Sequence, residues 1–387
     1  MVTWEYTTTI GAEFDLYAGG DVDREHFSQA KTDKYKYPIY ANALQREGLY
    51  GYTSNPRYKR DSITITGRGD VGVAMYRAID FDAIVRLLVL TPKTKSKADS
   101  RFTTYLIQSC VEFPMESTGV PQLTVPQIRD VELRLPPLPE QHRIAVALSD
   151  TDSLIAALEK LIAKKRSIKQ GAMQELLTGK RRLPGFEGEF VRMNLVANST
   201  LKARIGWQGL TTAEYLDSGY SHLITGTDFN NGKIAWDTCH YVDKHRYDQD
   251  TNIQVVNGDV LITKDGTIGK VAIVSGLTKK ATLNSGVFVL RPKGNTYNNR
   301  YVYYVLLSQI FIDFLDKLAA GSTINHLYQK DFVTFEFGVP PTVIEQTAIA
   351  EILSDMDAEI DALVAKLNKL RNIKQGMMSE LLTGRIR

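Results

Sequence analysis

Glu140 to Arg182 reads EQHRIAVALSDTDSLIAALEKLIAKKRSIKQGAMQELLTGKRR, and Glu345 to Arg387 reads EQTAIAEILSDMDAEIDALVAKLNKLRNIKQGMMSELLTGRIR. The second is the first displaced without a gap, with Glu345 standing under Glu140 and Gly384 under Gly179. Agreement is densest at the C-terminal end, where IKQG and ELLTG recur. A repeat of roughly 200 residues is too long for a stacked solenoid unit of about 20–50. It reads as a duplicated module, a globular body followed by a helix.

Spacing identifies the helices. Ile349, Leu353, Met356, Ile360, Leu363, Leu367 and Leu370 follow steps of four and three, an a/d heptad stripe. Ile144, Leu148, Thr151, Ile155, Leu158 and Ile162 repeat those steps in the first copy. Prolines 136, 137 and 139, and 340 and 341, precede the two starts, and Gly179 and Gly384 stand where C′ residues belong, with cations beyond them. Some 40 residues make a rod of about 60 Å, and its apolar stripe needs a cover. The other copy is the obvious one. If the modules are related by a pseudo-two-fold, the helices run antiparallel. The expected fold is α+β: similar mixed α/β bodies at 1–134 and 183–338, separated by a long antiparallel two-helix coiled coil from segments 135–182 and 339–387. A helical hairpin inside a single core is the alternative, and it leaves the repetition of the bodies unexplained.

The bodies repeat in outline. The first carries β-rich runs at Ser62–Thr66, Val71–Tyr76 and Ile84–Leu90, and a helix expected near Arg101–Val111. In the second, Val260 to Val271 matches Ile63 to Ala74, with Gly266 under Gly69 and Gly269 under Gly72. Phe288-Val-Leu-Arg-Pro-Lys matches Leu88-Val-Leu-Thr-Pro-Lys, a helix is expected over Tyr301–Leu318, and Gly321-Ser-Thr lines up with Glu116-Ser-Thr.

At 387 residues, more than one domain is expected. The stretch MVTWEYTTTIGAEF does not resemble a signal peptide, and no run approaches 18 apolar residues. With Cys110 and Cys239 the only cysteines, a disulfide framework is not expected and a reducing cytoplasm fits. A net charge of +3 leaves any nucleic-acid role to local charge.

Motifs for chemistry fail on inspection. Asn55-Pro-Arg-Tyr58 is one residue off the N-P-P-Y signature of amino-methyltransferases but lacks a Gly-rich cofactor loop. Lys264 to Lys270 misses the first Gly and the final hydroxyl of a phosphate loop. Cys239, His240 and His245 lack a fourth zinc ligand at sensible spacing. No nuclease-like acidic cluster stands out, so no catalytic or metal site is expected.

Binding signals are better. Lys31, Lys34, Lys36, Arg46, Arg57, Lys59 and Arg60 face only Asp33 and Glu47 across that stretch, interleaved with Tyr35, Tyr37, Tyr40, Tyr50, Tyr52 and Tyr58. Cations neutralise phosphates, and aromatic rings or arginine forks reach bases. Arg68, in the Gly67–Asp70 turn, joins them. In the second body the candidates are Arg204, Trp207, Lys233, Lys244, His245, Arg246, Lys264, Asn325, His326, Tyr328 and Lys330. Lys164, Lys165, Arg166, Lys169, Lys180, Arg181 and Arg182 make the end of the first long helix basic. A solvated surface, or charge matching to the helix dipole, is the plain alternative.

PPLPEQHRIAVALSDTDSLIAALE…IKQGAMQELLTGK and PPTVIEQTAIAEILSDMDAEIDAL…IKQGMMSELLTGR resemble the central and distal regions of the specificity (S) subunit of type I restriction–modification enzymes. Leu223 to Phe229 and Thr263 to Gly269 resemble that family's recognition-domain frame. The resemblance implies two target recognition domains, each reading half of a split sequence in double-stranded DNA, with the helix pair setting the unread spacer. It implies two methyltransferase (M) subunits holding S-adenosylmethionine, restriction (R) subunits using ATP and Mg, and no cofactor in this chain. Lengthening the spacer by one heptad, about 10 Å, is then expected to shift the tolerated gap by about three base pairs. The competing readings are a reader fused to its own methyltransferase or nuclease, and a coiled-coil scaffold with two protein-binding lobes. DNA affinity that falls steeply with salt separates the reader from the scaffold.

Overall fold

The computed structural model describes residues 4, 6–114, 121–205, 209–319 and 326–385. The expected matching of 116–118 with 321–323 lies outside them, as do Trp207 and Asn325. The chain folds as two compact units, one of residues 1–160 with 364–387, the other of residues 161–363. The long helices, Leu138–Leu177 and Val343–Leu381, each give one part to each unit.

In the first unit an antiparallel sheet orders Phe14–Ala18, Leu88–Pro92, Ser62–Ile65 and Ala74–Arg77. Ser62–Ile65 is buried along its whole length, which its β-branched Ile63, Thr64 and Ile65 favour. A second sheet orders Phe27–Ser28, Leu49–Thr53, Tyr37–Tyr40 and Asp82–Ala83. Helix Ser100–Cys110 starts where Asp99 accepts the Phe102 N–H at 2.8 Å. Its Phe102, Leu106 and Ile107 close a core with Phe14, Ile63, Leu90, Ile144, Leu148, Met378 and Leu382. The expected strand at Ile84–Leu90 begins only at Leu88, because Val85 and Arg86 take left-handed φ of 54° and 59° and turn the chain. Likewise the strand expected from Val71 begins at Ala74, after the Gly72 turn.

The second unit has a six-stranded sheet ordered Ser199–Ala203, Val287–Pro292, Val260–Thr263, Val271–Ile273, Lys233–Ile234 and Phe229–Asn230. A three-stranded sheet places Ser221–Ile224 between His240–Val242 and Ala281–Leu283. The helix expected over Tyr301–Leu318 is two, Asn299–Leu306 and Gln309–Ala319. The break falls at Leu307–Ser308, where the Ser308 hydroxyl donates to the Val305 carbonyl at 2.7 Å. Tyr301, Val305, Phe311 and Phe332 pack with Leu176, Leu177, Ile349 and Leu353.

In each unit the two helix segments run antiparallel, since partner numbers fall on one as they rise on the other. Asp152 pairs with Lys374 and Glu159 with Arg371 in the first unit. Lys165 with Glu359, Lys169 with Asp357 and Arg182 with Glu345 do so in the second. Leu148, Leu158, Ile162, Leu353, Ile360 and Leu367 are buried, and Ile155, Met356 and Leu363 are half-buried. Gly179 and Gly384 adopt φ of 73° and 72°, the left-handed C′ conformation.

Candidate nucleic-acid interface

The two bodies share one loop, hydrogen bond for hydrogen bond. In the first, the Thr66 hydroxyl reaches the Asp70 carbonyl and accepts the Val73 N–H at 3.0 Å, while Gly72 N–H donates to the Thr66 carbonyl at 2.8 Å. In the second, Thr263 bonds Thr267, Lys270 and Gly269 in the same way, at 2.5, 2.9 and 2.9 Å. A strap closes each loop from outside: Leu123 N–H donates to Gly67 and Leu327 N–H to Lys264, both at 2.9 Å. The backbone is therefore held alike in both while the projecting side chains differ.

On the first loop Arg68 is exposed, and its guanidinium donates to Gln122 Oε1 at 3.1 Å. The left-handed turn bearing exposed Arg86 lies against it, with the Arg86 carbonyl 3.2 Å from where a Gly67 Cβ would stand. The sequence reading missed Arg86, because a turn inside an expected strand gave no sign of an outward cation. Lys34 and Lys36 are exposed, each ammonium 5.1 Å from the ring of the tyrosine that follows it, Tyr35 or Tyr37. Lys59 and Arg60 are also open, 77% and 70% exposed, on either side of Asp80. Arg57 is anchored to the sheet. Its Nε donates to Asp82 Oδ1 at 2.6 Å and its Nη2 to the Ala83 carbonyl at 3.0 Å, and Asp82 holds the guanidinium above its ordinary range. Tyr58 is half-buried, stacked on Phe81 at 5.6 Å. Arg57 is nonetheless exposed, 42% at its side chain, so these bonds hold its guanidinium in place among the other exposed cations, while Tyr58 packs on the sheet.

In the second body His326, Tyr328 and Lys330 come together on the strap, while half-buried Lys264 on the loop sets its ammonium 5.4 Å from the Phe288 ring. His326 pairs with Asp265 and lies 4.4 Å from the Tyr328 ring, and Lys330 sits 5.2 Å from that ring. Arg204 does not belong to this surface. It is 1% exposed, its Nε donates to the Leu283 carbonyl at 2.9 Å, and burial holds its guanidinium below its usual range. A cation in sequence looks alike whether it meets phosphate or satisfies a buried carbonyl. Lys233 pairs with Asp361, Arg246 with Glu214 and Lys244 with Asp248, so these three reach any anion only by exchanging a carboxylate.

Cys239 is buried, its thiol directed at the Ala235 carbonyl 3.4 Å away, and the His240 ring lies tilted against Tyr215 at 5.3 Å. Among the described residues no group of three or more His, Cys, Asp or Glu could hold a metal ion, and no helix is long and apolar enough to cross a membrane.

Comparison with known proteins places this architecture. A family model described as the type I restriction modification DNA specificity domain matches residues 1–170 and 209–372. The MjaVIII type I restriction enzyme specificity subunit of Methanocaldococcus jannaschii is 25% identical over 300 residues, covering 73% of this chain and 68% of that protein. A putative MjaX specificity subunit from the same organism is 24% identical over 320 residues, covering 78% and 72%. The crystal structure of a type I restriction–modification S subunit from M. genitalium superposes with a TM-score of 0.68 at 16% identity, covering 97% of this chain and 95% of that one. With both bodies and most of both long helices matched, the chain belongs to the family of type I restriction–modification DNA specificity subunits.

Proposed function

We propose that this chain reads a two-part target in double-stranded DNA, one half-site per body, and supplies sequence specificity to a type I restriction–modification complex. The observation that carries this is the shared loop. One backbone frame presents Arg68 with Gln122 in the first body and Asp265 with His326, beside Tyr328 and Lys330, in the second. Two readers of unlike half-sites require that combination, because donors and acceptors on the side chains, not the backbone frame, discriminate base edges. The chain itself does no chemistry. Two methyltransferase subunits hold S-adenosylmethionine and methylate adenine, restriction subunits bring ATP and Mg, and the complex works in the cytoplasm.

Co-expression with its methyltransferase subunit, followed by methylome sequencing, tests this. A split adenine-methylated motif with a fixed gap is expected. A contiguous motif, or transfer of labelled methyl groups by the isolated chain, refutes it.

A further inference from the structure

Three segments of the second body, far apart in the chain, meet at one basic surface. Lys280 precedes Ala281, which lies beside His222 in a parallel pair, so its ammonium reaches the hydroxyl of Tyr220 at 2.7 Å. Tyr220 N–H donates to the Val242 carbonyl at 3.0 Å, which brings in the helix Lys244–Asp248, whose Tyr247 stands edge-on to Tyr220 at 5.5 Å. The Lys280 ammonium lies 5.0 Å from the Tyr220 ring and 5.3 Å from that of Tyr247, Lys244 lies 5.8 Å from Tyr220, and Lys279 lies 4.7 Å from Tyr241. Lys244 spends its charge on Asp248. Lys279 and Lys280 are exposed, and neither forms an ion pair among the described residues. The Tyr220 hydroxyl holds the Lys280 ammonium above its ordinary range, so it keeps its proton at neutral pH. The rings fix where the ammonium groups stand; Asp248, paired with Lys244, also attracts Lys280, and three lysines against that carboxylate leave the surface positive. Gathering like charges costs Coulomb energy that a polyanion returns.

We infer that Lys279 and Lys280, carried on the Tyr220, Tyr241 and Tyr247 rings, grip the phosphodiester backbone of the duplex read by the second body. The inference rests on the DNA-reading function proposed above. The grip adds affinity and register without choosing bases, because phosphates are alike at every step.

The test uses the full chain and a labelled duplex carrying the methylated target, with affinity measured by anisotropy between 50 and 200 mM KCl. Each phosphate contact contributes about 0.9 to the slope of log affinity against log salt, so Lys279→Gln with Lys280→Gln lowers that slope by about 1.8. The fourfold rise in salt then costs the variant about 12-fold less affinity than it costs the parent. Arginine at both positions restores the slope, and the methylated motif stays the same. Lys279→Gln alone gives about half the change in slope, which serves if the double variant folds poorly. An unchanged slope in a variant that melts like the parent overturns the inference. So does an altered motif, which indicates base contact, or lost methyltransferase association at unchanged slope, which indicates a protein-docking surface. If the parent binds no duplex, the proposed function falls as well. If the parent binds and the variant keeps its full slope, only this inference falls.

Discussion

Each unit joins its body to its helix pair through the same three side chains, and the two copies differ enough to rank. In the second unit the Tyr304 hydroxyl donates to Asp357 Oδ2 at 2.8 Å, and Lys169 Nζ meets Asp357 Oδ1 at 2.5 Å from the antiparallel helix. In the first, Tyr105 donates to Asp152 Oδ2 at 2.7 Å and Lys374 meets Asp152 Oδ1 at 2.6 Å. Burial, reinforced by the carboxylate, pushes both tyrosine hydroxyls up, so both remain protonated donors. Tyr304 is 2% exposed and Tyr105 8%, and the Asp357 and Asp152 side chains are 28% and 39% exposed. A hydrogen bond to a charged group is worth about 1.5–3 kcal/mol, and these half-wet carboxylates belong at or below the low end. Tyr304→Phe should therefore cost about 1.5 kcal/mol and Tyr105→Phe about 1 kcal/mol. For units of this size the larger loss lowers the melting temperature by about 4 °C. Lys169→Met keeps the stem that packs beside the Tyr304 ring and removes only the charge. Because both side chains act on one carboxylate, Tyr304→Phe and Lys169→Met should couple by about 0.5–1 kcal/mol in a double-mutant cycle. Scanning calorimetry of the full chain measures all four corners. Additivity within about 0.3 kcal/mol, or a larger loss for Tyr105→Phe than for Tyr304→Phe, refutes the reasoning.

The shared loop gives a second test. Gly266 has φ of 69° with open space where a Cβ would go, whereas at Gly269, with φ of 78°, a Cβ would lie 2.4 Å from Leu315 Cδ1. Gly266→Ala should cost about 1 kcal/mol for the left-handed backbone, and Gly269→Ala clearly more, as read from denaturant midpoints. Burial pushes the Glu13 carboxyl up, but the Lys97 N–H and the Tyr6, Ser96 and Thr8 hydroxyls together bring it below 4.5. A depressed carboxylate gives stability that is present above about pH 4.5 and lost as pH falls through the folded value, so Glu13→Gln should lower melting temperature at pH 7 and flatten its acid limb. Burial, with Asp228 adding to it, pushes the Cys239 thiol up to about 12, while Cys110 is exposed. Titration of the native chain with a thiol reagent at pH 8 should therefore find one reactive cysteine, and two only after unfolding.

What the sequence disclosed depended on how local its signal was. The heptad stripe and the glycines at 179 and 384 are statements about neighbours three or four residues apart, so the long helices could be read directly. The pairing of Gly69 with Gly266 and of Gly72 with Gly269 was legible because a positive φ restricts the choice of residue, and all four take it. Lys34 to Tyr37 stood out because cation and ring alternate along the chain. The Lys279–Lys280 cluster did not, because its rings come from positions 220, 241 and 247 and meet only through sheet pairing. The anchoring of two arginines stayed hidden for the complementary reason. Arg204 and Arg57 end on carbonyls and a buried carboxylate supplied by segments far away in the chain, which no local pattern reveals.

An internal duplication also acts as its own control. Where both copies keep a side chain in the same role, the role belongs to the frame. Thr66 and Thr263 tie the loops, Asp152 and Asp357 anchor the bodies, and Gln141 and Gln346 accept the N–H groups of Asp99 and Asn298 at 2.8 and 2.9 Å. Where the copies part, the frame has released the position. At the loop tip Arg68 in one body stands where Asp265 stands in the other, a reversal of charge on an unchanged backbone. An arginine fork donates to guanine O6 and N7, whereas a carboxylate accepts from cytosine N4. On the proposed reading, then, the two loops offer different groups to the duplex at that position, Arg68 with Gln122 in one and Asp265 with His326 in the other, on a shared scaffold.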